Sequence, residues 1–247
     1  VGVLQRISIV FLVCGILYLY TSQRTQLIIG SILLIGYCIV MKYLPVPGIG
    51  IPDLSLPEKN WAHYIDKLYL PGYLWKTTWD PEGILSTFPA VVTGILGMLS
   101  GYLIVKKNDI QEKIISLFLF ATLLLILGDL SSYIVPLNKS LWSSSYALMM
   151  GGISSLLLAF FIYWVDVKNN AKYFDFAHVF GVNAIFAYAL SGLLVTVFYS
   201  SKIWGFSFSG LFMEQMTSIG LSSKFSSLLY AALYLVIIWI PTYILYK

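Results

Sequence analysis

The sequence predicts an all-α fold, a polytopic bundle of membrane-spanning helices. Hydrophobic residues make up 59% of the 247 positions and charged residues only 11%, and the mean hydropathy is +0.84. Soluble domains carry about 25% charged residues, so most of this chain lacks the polar surface that water requires. The apolar residues form runs of about 20, the length of helix that crosses a bilayer. The alternation typical of membrane β-strands is absent, so we predict helices.

The same composition excludes disordered, collagen-like, zinc-ribbon and nucleic-acid-binding proteins. The net charge of +4 comes from 15 basic and 11 acidic residues, and it is typical of a membrane-topology signal rather than of a polyanion-binding surface. Cys14 and Cys38 both lie in apolar runs, so no disulfide framework is predicted.

We predict about seven spans, all in one transmembrane domain over residues 1–247. They cover residues 3–20, 27–44, 84–105, 114–130, 146–167, 178–199 and 225–246.

The short loops carry unequal numbers of basic residues, and this difference predicts the orientation. One side holds seven of them: Arg24, Lys106, Lys107, Lys113, Lys168, Lys172 and Lys247. The other side holds Lys139, Lys202 and Lys224. The C-terminus is therefore predicted to be cytoplasmic, and residues 45–83 form an outer loop. An outside N-terminus predicts that N-terminal spans are missing from this sequence, and the short outer loops favour a bacterial inner membrane.

The outer loop begins with a Pro- and Gly-rich segment that forbids regular structure. After it, Trp61, Tyr64, Ile65 and Leu68 recur at the spacing of one helix face. This pattern predicts a short amphipathic helix at the membrane interface. Tyr73, Trp75 and Trp79 follow as aromatic anchors.

Asp80-Pro81-Glu82-Gly83 opens the third span and allows two interpretations. In the structural one, Asp80 is the N-cap, Pro81 the first helical residue and Glu82 a first-turn acid. In the functional one, the two carboxylates belong to an outward-facing site for a sugar or an amine.

Polar residues within spans are functional candidates by default. Arg6, beside Gln5, either reaches the interface with its head group or provides a fixed cation for a carbonyl, phosphate or carboxylate. Asn183 either forms an interhelical hydrogen bond or lines a site. The group Asn138, Lys139 and Trp142 either anchors the interface or contributes to a polar and aromatic site.

Small residues predict close helix packing in two spans, at Gly97 and Gly101 and at Gly151 and Gly152. Such faces also favour contacts between copies in a homo-oligomer.

The two histidines, His63 and His178, fall on opposite sides of the predicted topology and cannot pair. Each is typical of an interface residue, and no recognised catalytic or metal-binding motif is present. The residues alone therefore leave an enzyme, a secondary transporter and a membrane scaffold as alternatives.

Six sequence blocks follow one another in a characteristic order: Gly2-Val3-Leu4-Gln5-Arg6-Ile7, Pro45-Val46-Pro47-Gly48, Tyr64-Ile65-Asp66-Lys67, Trp79-Asp80-Pro81-Glu82-Gly83-Ile84-Leu85-Ser86-Thr87, Asn138-Lys139-Ser140-Leu141-Trp142-Ser143 and Gly181-Val182-Asn183-Ala184-Ile185. In these blocks and their order the chain resembles the heparan-α-glucosaminide N-acetyltransferase family and its bacterial homologues linked to N-acetylglucosamine use.

This resemblance implies a transmembrane enzyme that transfers acetyl from acetyl-CoA to the amine of a glucosamine-type sugar, with no metal. It implies the lipid bilayer and an amino sugar as partners, and no nucleic acid. The family's proposed catalytic histidine lies in a motif that this sequence lacks, so no catalytic residue is assigned. The candidate donor- and substrate-binding residues are Gln5, Arg6, Trp79, Asp80, Glu82, Asn138, Lys139, Trp142 and Asn183.

The donor's phosphates require cations, and Lys106 and Lys107 at the predicted cytoplasmic end of the third span either provide them or only reflect the positive-inside bias. A secondary transporter or permease for a sugar or related small molecule is the alternative function.

Overall fold

The computed structural model describes residues 2–56, 58–70, 72, 74, 79–200 and 203–247. Regular structure in these ranges is helical, apart from an isolated antiparallel bridge between Val46 and Gly50. The α-helices are α1 Val3–Tyr20, α2 Gln23–Tyr43, α3 Trp61–Tyr69, α4 Ile84–Lys106, α5 Ile110–Ser132, α6 Ser144–Phe161, α7 Asp175–Val182, α8 Ala184–Tyr199, α9 Phe208–Ser218 and α10 Ser223–Tyr246. The all-α prediction is confirmed. The predictions for Tyr73, Trp75 and Lys202 lie outside the described residues.

Within the described ranges, six helices are long and apolar enough to cross a membrane. They are α1, α2, α4, α5, α10, and α6 together with its π-helical extension Ile162–Val167. The predicted span over residues 178–199 is bent rather than straight. Two helical segments, Ala171–Val182 and Ala184–Tyr199, meet there at 74°. Counting this pair as one span gives seven, and the chain is an integral membrane protein.

The bend falls at Asn183, whose backbone angles of −115° and 34° leave the helical region. Asparagine favours such interruptions because its side chain competes for backbone hydrogen bonds. Here the Asn183 amide nitrogen donates to the Val179 carbonyl, at 3.4 Å. This bond stays within the preceding helix, so the predicted interhelical bond is not the one observed.

The chain divides into two compact units, residues 1–168 and 169–247. In the first unit α4 contacts α1, α2 and α6, while α5 and α6 pack along each other. Its buried core combines one face of α4 with Cys14 of α1 and Leu124 of α5: Val91, Val92, Ile95, Leu96 and Leu99. The prediction of one transmembrane domain over residues 1–247 stays a prediction.

Four α-helices of the first unit, α2, α3, α5 and α6, begin where the local sequence supplies a cap. Ser22, Asn60, Asp109 and Ser143 each accept a hydrogen bond from the backbone N–H three residues later. Such bonds satisfy donors that the first helical turn leaves unpaired.

Close packing centres on the α5–α6 pair. A Cβ added at Gly128 would lie 2.8 Å from the Met149 backbone nitrogen, and one at Gly152 would lie 3.0 Å from the Ala121 carbonyl oxygen. The packing prediction is therefore confirmed at Gly151 and Gly152, where a Cβ at Gly151 would approach Leu96. It is wrong for Gly97 and Gly101, because no described atom lies within 4 Å of a Cβ at either position.

In the second unit α10 contacts α7, α8 and α9. Tyr230 donates its hydroxyl hydrogen bond to the Phe198 carbonyl at 3.2 Å, and Tyr234 donates to the Ser191 carbonyl at 2.6 Å. The Tyr199 ring meets both tyrosine rings edge-on. These two hydroxyl–carbonyl hydrogen bonds and the ring contacts join α10 to α8.

The predicted outer-loop helix is present as α3. Its buried residues are Ala62, His63 and Asp66, whereas Leu68 of the apolar stripe is 58% exposed. The polar side of α3 therefore packs on the protein, and the aromatic side remains more accessible. The position of α3 at a membrane interface stays a prediction.

Candidate binding site at the start of α4

The turn before α4 differs from the predicted cap. α4 begins at Ile84, and its N-cap residue Gly83 has no capping side chain. Asp80 instead accepts a hydrogen bond from the Glu82 N–H at 2.9 Å, and its carbonyl accepts one from the Gly83 N–H at 3.0 Å. The prediction that Asp80 caps the helix and Glu82 lies in its first turn is wrong, because Asp80 closes its own turn outside the helix.

Asp66 of α3 supplies the missing cap from a distant part of the chain. Its carboxylate is fully buried and accepts hydrogen bonds from the Ile84 N–H at 3.0 Å and the Asp80 N–H at 3.4 Å. Burial raises the pKa of this carboxyl group, although the two N–H donors act to lower it. A Cβ at Gly83 would overlap the Asp66 carboxylate, so glycine is required there.

Arg6 of α1 also holds this turn. Its Nη1 donates to the Pro81 carbonyl at 2.9 Å and its Nη2 to the Ser86 carbonyl at 2.7 Å. The side chain is only 5% exposed. These two carbonyls flank Glu82 in the sequence, so Arg6 fixes the backbone that carries Glu82. The geometry favours the fixed-cation interpretation over an arginine that reaches the interface.

Trp142 covers the guanidinium group. The Arg6 Cζ lies 4.3 Å from the centre of the indole ring, within cation–π distance. The indole N–H donates to the Thr93 hydroxyl of α4 at 3.1 Å. Trp142 has a φ of +51°, a left-handed conformation that is strained for a bulky residue. Arg6 and Thr93 therefore hold this ring in an uncommon position.

Asn138 builds the turn that presents Trp142. Its Oδ1 accepts from the Leu141 N–H at 3.1 Å, and its carbonyl accepts from the Ser143 N–H at 3.1 Å. Lys139 is exposed, and its carbonyl accepts from the Trp142 N–H at 3.2 Å. Asn138 thus shapes the turn, whereas the Lys139 side chain points to the surface.

Arg6, Glu82 and Trp142 line one cavity of about 720 Å³ between α1 and α4. Its other lining residues are mostly apolar: Val3, Ile7, Val10, Phe11, Cys14, Gly15, Tyr18, Ala90, Thr93, Gly94 and Met98. This volume is within the range of small-molecule sites, which are mainly apolar with a few convergent polar groups.

Glu82 is the acidic member of this lining. It is partly exposed, and desolvation together with the neighbouring Asp80 raises the pKa of its carboxyl group, against the opposing charge of Arg6. A carboxyl group with a raised pKa in a cavity is typical of functional sites. Of the two predicted carboxylates, Glu82 lines the cavity, and Asp80 is buried in the turn.

The remaining predicted site residues lie elsewhere. Gln5 is exposed and accepts the Gly2 N–H at 2.8 Å, at the start of its own helix. Trp79 and Asn138 line a different cavity, of about 110 Å³. Asn183 belongs to the second unit. The structure therefore brings together three of the nine candidates.

A further cavity of about 770 Å³ lies toward the α1–α2 turn and shares Tyr18 and Met98 with the first. Arg24 contributes to its polar lining, with Thr21, Ser22, Gln23 and Gln26. The predicted phosphate-binding lysines have other contacts. Lys107 pairs with Glu112 at 3.1 Å, and the Lys106 ammonium lies 5.3 Å from the centre of the Tyr102 ring.

Sequence reasoning missed Asp66 and Thr93, which position the site. Asp66 lies in a sequence block that carries the family resemblance, and that block was the available signal. No sequence signal distinguished Thr93, because its role depends on the approach of Trp142 from 49 positions away.

The histidines add no partner to this site. His63 is buried rather than at an exposed interface, and its Nδ1 has no hydrogen-bond partner among the described residues. His178 lies in the second unit, with its ring 5.6 Å from that of Tyr246. Among the described residues, no group of three or more His, Cys, Asp and Glu side chains could hold a metal ion.

The sequence is similar to two mammalian proteins named heparan-alpha-glucosaminide N-acetyltransferase. The Mus musculus protein is 30% identical over 59% of this chain and 27% of its own length. The Homo sapiens protein is 27% identical over 76% of this chain and 36% of its own length. No family model matches the sequence. The resemblance drawn from the sequence blocks is confirmed, and the chain spans about a third of the length of these curated relatives.

Proposed function

We propose that this chain is part of a membrane N-acetyltransferase that moves acetyl from acetyl-CoA to the amine of a glucosamine-type sugar. The observation that carries the proposal is the cavity whose polar end holds Arg6, Glu82 and Trp142. The names of the similar mammalian proteins support the same reaction.

The reaction needs a site where a neutral amine meets a thioester carbonyl. The C–N bond forms, the C–S bond breaks, a thiolate leaves, and the nitrogen gives up one proton. Negative charge develops on the carbonyl oxygen, where a fixed positive charge lowers the barrier. Arg6 is suited to this electrostatic role because the Pro81 and Ser86 carbonyls hold it in place.

Glu82 and Trp142 would receive the acceptor. A carboxylate attracts the ammonium form of an amino sugar, and an aromatic face packs against the apolar face of a sugar ring. Asp66 and Asp80 would contribute indirectly, because they position the turn that carries Glu82. We assign no proton acceptor among these residues.

The donor would bind along α1 and α4. The cavity with Arg24 lies toward the predicted cytoplasmic side, and it shares Tyr18 and Met98 with the cavity that holds Arg6. We therefore expect Arg24, rather than Lys106 or Lys107, to lie near the donor's phosphates. The donor's acyl end would then reach the polar end of the neighbouring cavity.

Acetyl-CoA-dependent acetylation of glucosamine by the full-length protein in nanodiscs tests this function. Gly15→Leu introduces a side chain into the cavity wall, where a Cβ meets no described atom within 4 Å. We expect kcat/KM to fall at least about tenfold, a change of roughly 1.4 kcal/mol in transition-state stabilisation.

Gly36→Leu on α2 is the matched control, since a Cβ there is equally unobstructed. The same loss of activity in both variants would show that the cavity is not the site. If the wild-type protein acetylates no amino sugar, the proposed reaction itself is wrong.

A sugar transporter is the second candidate, and the break at Asn183 favours it. Transporters place substrate sites where a membrane helix is interrupted, and the two segments here meet at 74°. This function predicts uptake of labelled glucosamine into proteoliposomes that contain no acetyl-CoA. Recovery of acetylated sugar only, with no uptake of unmodified sugar, would contradict it.

A further inference from the structure

Glu82 lines a second cavity as well, on the other flank of the α1–α4 contact. This cavity has a volume of about 430 Å³. Its lining residues come from α1, α2 and the beginning of α4: Ile9, Val13, Leu33, Glu82, Gly83, Ile84, Thr87, Phe88 and Val91. Glu82 therefore stands at the junction of two cavities rather than at the end of one.

Apart from Glu82 and Thr87, the side chains that line the second cavity are apolar. Thr87 is the other polar side chain in its lining, and its hydroxyl already donates to the Gly83 carbonyl at 2.8 Å. A sugar ring placed here would lose its hydrogen bonds to water without replacing them, which is unfavourable. A hydrocarbon chain would instead bury apolar surface against Ile9, Leu33 and Phe88.

The position of Glu82 adds a requirement for charge. Its carboxylate is partly buried at the edge of this apolar space, so an ion there is favoured by a partner of opposite sign. Arg6 provides positive charge on the flank of the first cavity, and its Nη1 and Nη2 each donate a hydrogen bond to a backbone carbonyl. A cationic group of a ligand that enters the second cavity beside Ile9 would pair with the Glu82 carboxylate.

We propose that the acceptor is an amphiphile, with its amino-sugar head at Glu82 and an apolar chain in the cavity lined by Ile9, Val13, Leu33 and Phe88. The inference rests on the proposed acetyl transfer and names its substrate class, an amino sugar anchored in the membrane. The donor and the acceptor would then reach Glu82 from separate cavities, so that their chains do not compete for one space.

The experiment compares octyl glucosaminide with free glucosamine as acceptors, using the full-length protein in nanodiscs. Burial of the octyl chain should lower KM at least about tenfold relative to free glucosamine. Ile9→Trp fills part of the second cavity and should remove most of this preference.

Ile16→Trp is the matched control. Ile9 and Ile16 lie seven residues apart on one face of α1, and they are 46% and 49% exposed. Ile16 is absent from the lining of the second cavity, so its variant should keep the preference for the octyl compound. Equal effects of the two substitutions, or no advantage of the octyl chain in the wild-type protein, would overturn the inference.

Binding separates this inference from the reaction on which it rests. Radiolabelled octyl glucosaminide should bind the wild-type and Ile16→Trp proteins, and binding should weaken about tenfold in Ile9→Trp. Octyl glucoside, which has no amine, should compete poorly. Equal competition would mean that any alkyl chain fills the cavity, and the inference would be wrong. If the binding pattern holds and no amine is acetylated, the proposed reaction fails while the ligand class stands.

Discussion

Arg6 shows how a charged side chain is accommodated in an apolar run. Two backbone carbonyls and the face of Trp142 surround its guanidinium group, so the charge is paired with dipoles and with the indole ring. Lysine carries the same charge but lacks the planar, forked donor geometry that reaches both carbonyls.

We therefore expect Arg6→Lys to destabilise the first unit by about 1–3 kcal/mol, the usual cost of a buried group that loses its partner. Thermal unfolding in detergent would measure the change. Arg24→Lys is the control, because Arg24 is exposed near the α1–α2 turn and should shift stability by less than about 0.5 kcal/mol. Equal shifts in both variants would contradict the stabilising role assigned to the Arg6 hydrogen bonds with the Pro81 and Ser86 carbonyls.

The buried cap from Asp66 gives a second prediction at this scale. Asp66→Ala removes the acceptor for the Ile84 and Asp80 N–H groups, and we expect a loss of about 1–3 kcal/mol for each buried donor left unpaired. Asp53→Ala also removes two hydrogen bonds, to Ser55, but in an exposed turn, and should cost less than about 1 kcal/mol. Chemical denaturation of both variants would test the difference.

The raised pKa of Glu82 predicts how amine binding depends on pH. A cationic amine binds the ionised carboxylate, so the affinity should fall as the pH decreases through the pKa of Glu82, which desolvation and Asp80 raise. In Glu82→Gln this dependence should disappear, and the affinity should be low throughout. Titration of octyl glucosaminide binding from pH 4 to pH 7 would show it. An unchanged profile in Glu82→Gln would assign the dependence to another group.

At the scale of elements, helix type and position followed from the apolar runs, whereas the ends of helices did not. The run from Ile84 onward predicts α4 on its own. The carboxylate that caps α4 belongs to Asp66, 18 positions earlier, and only tertiary contact brings it there. Asp80 is a better capping residue by type than Gly83, but its carboxylate accepts the Glu82 N–H in the turn before the helix and does not cap α4.

The packing of small residues likewise depends on tertiary contacts that the local sequence pattern does not specify. Gly97 and Gly151 look alike in sequence, yet a Cβ meets a neighbouring helix only at Gly151. Packing depends on which face of a helix meets its neighbour, and the spacing of glycines in the sequence does not specify that face.

The α5–α6 contact yields a direct test of this packing. Gly128→Ala places a methyl group 2.8 Å from the Met149 backbone nitrogen, and backbone cannot move aside as a flexible side chain can. We expect a loss of about 1–3 kcal/mol from overpacking. Gly97→Ala should be neutral or gain about 0.5–1 kcal/mol, because alanine favours helix and no described atom obstructs it. Thermal unfolding of the pair would decide, and equal stability would contradict the packing argument.

For the whole molecule, composition and run length predicted the membrane bundle, and the basic loops predict its orientation. Asn108 and Lys139 are exposed and lie in loops of opposite predicted side. In intact cells, a membrane-impermeant maleimide should label Lys139→Cys and spare Asn108→Cys, in a background where Cys14 and Cys38 are serine. Labelling of Asn108→Cys alone would invert the topology and place Glu82 on the cytoplasmic side.

The candidate site could be predicted in part. The sequence distinguishes Arg6, Glu82 and Trp142 as polar or aromatic residues at membrane depth or at span ends, and all three line one cavity. Gln5, Lys139 and Asn183 are also polar residues at membrane depth or near span ends, so the sequence favours them equally. They do not join the cavity lining, because neighbours in sequence project to different faces of a helix or turn. Apart from Glu82, the lining of the second cavity had no sequence signal, because it consists mainly of ordinary apolar residues of α1, α2 and α4.

The left-handed backbone of Trp142 has an evolutionary consequence. A non-glycine residue in this conformation costs roughly 1 kcal/mol, and stacking on Arg6 together with the bond to Thr93 offsets it. Selection for tryptophan at position 142 therefore depends on arginine at position 6. Among homologues, we expect the two positions to change together, with glycine or asparagine replacing the indole wherever the guanidinium group has been lost.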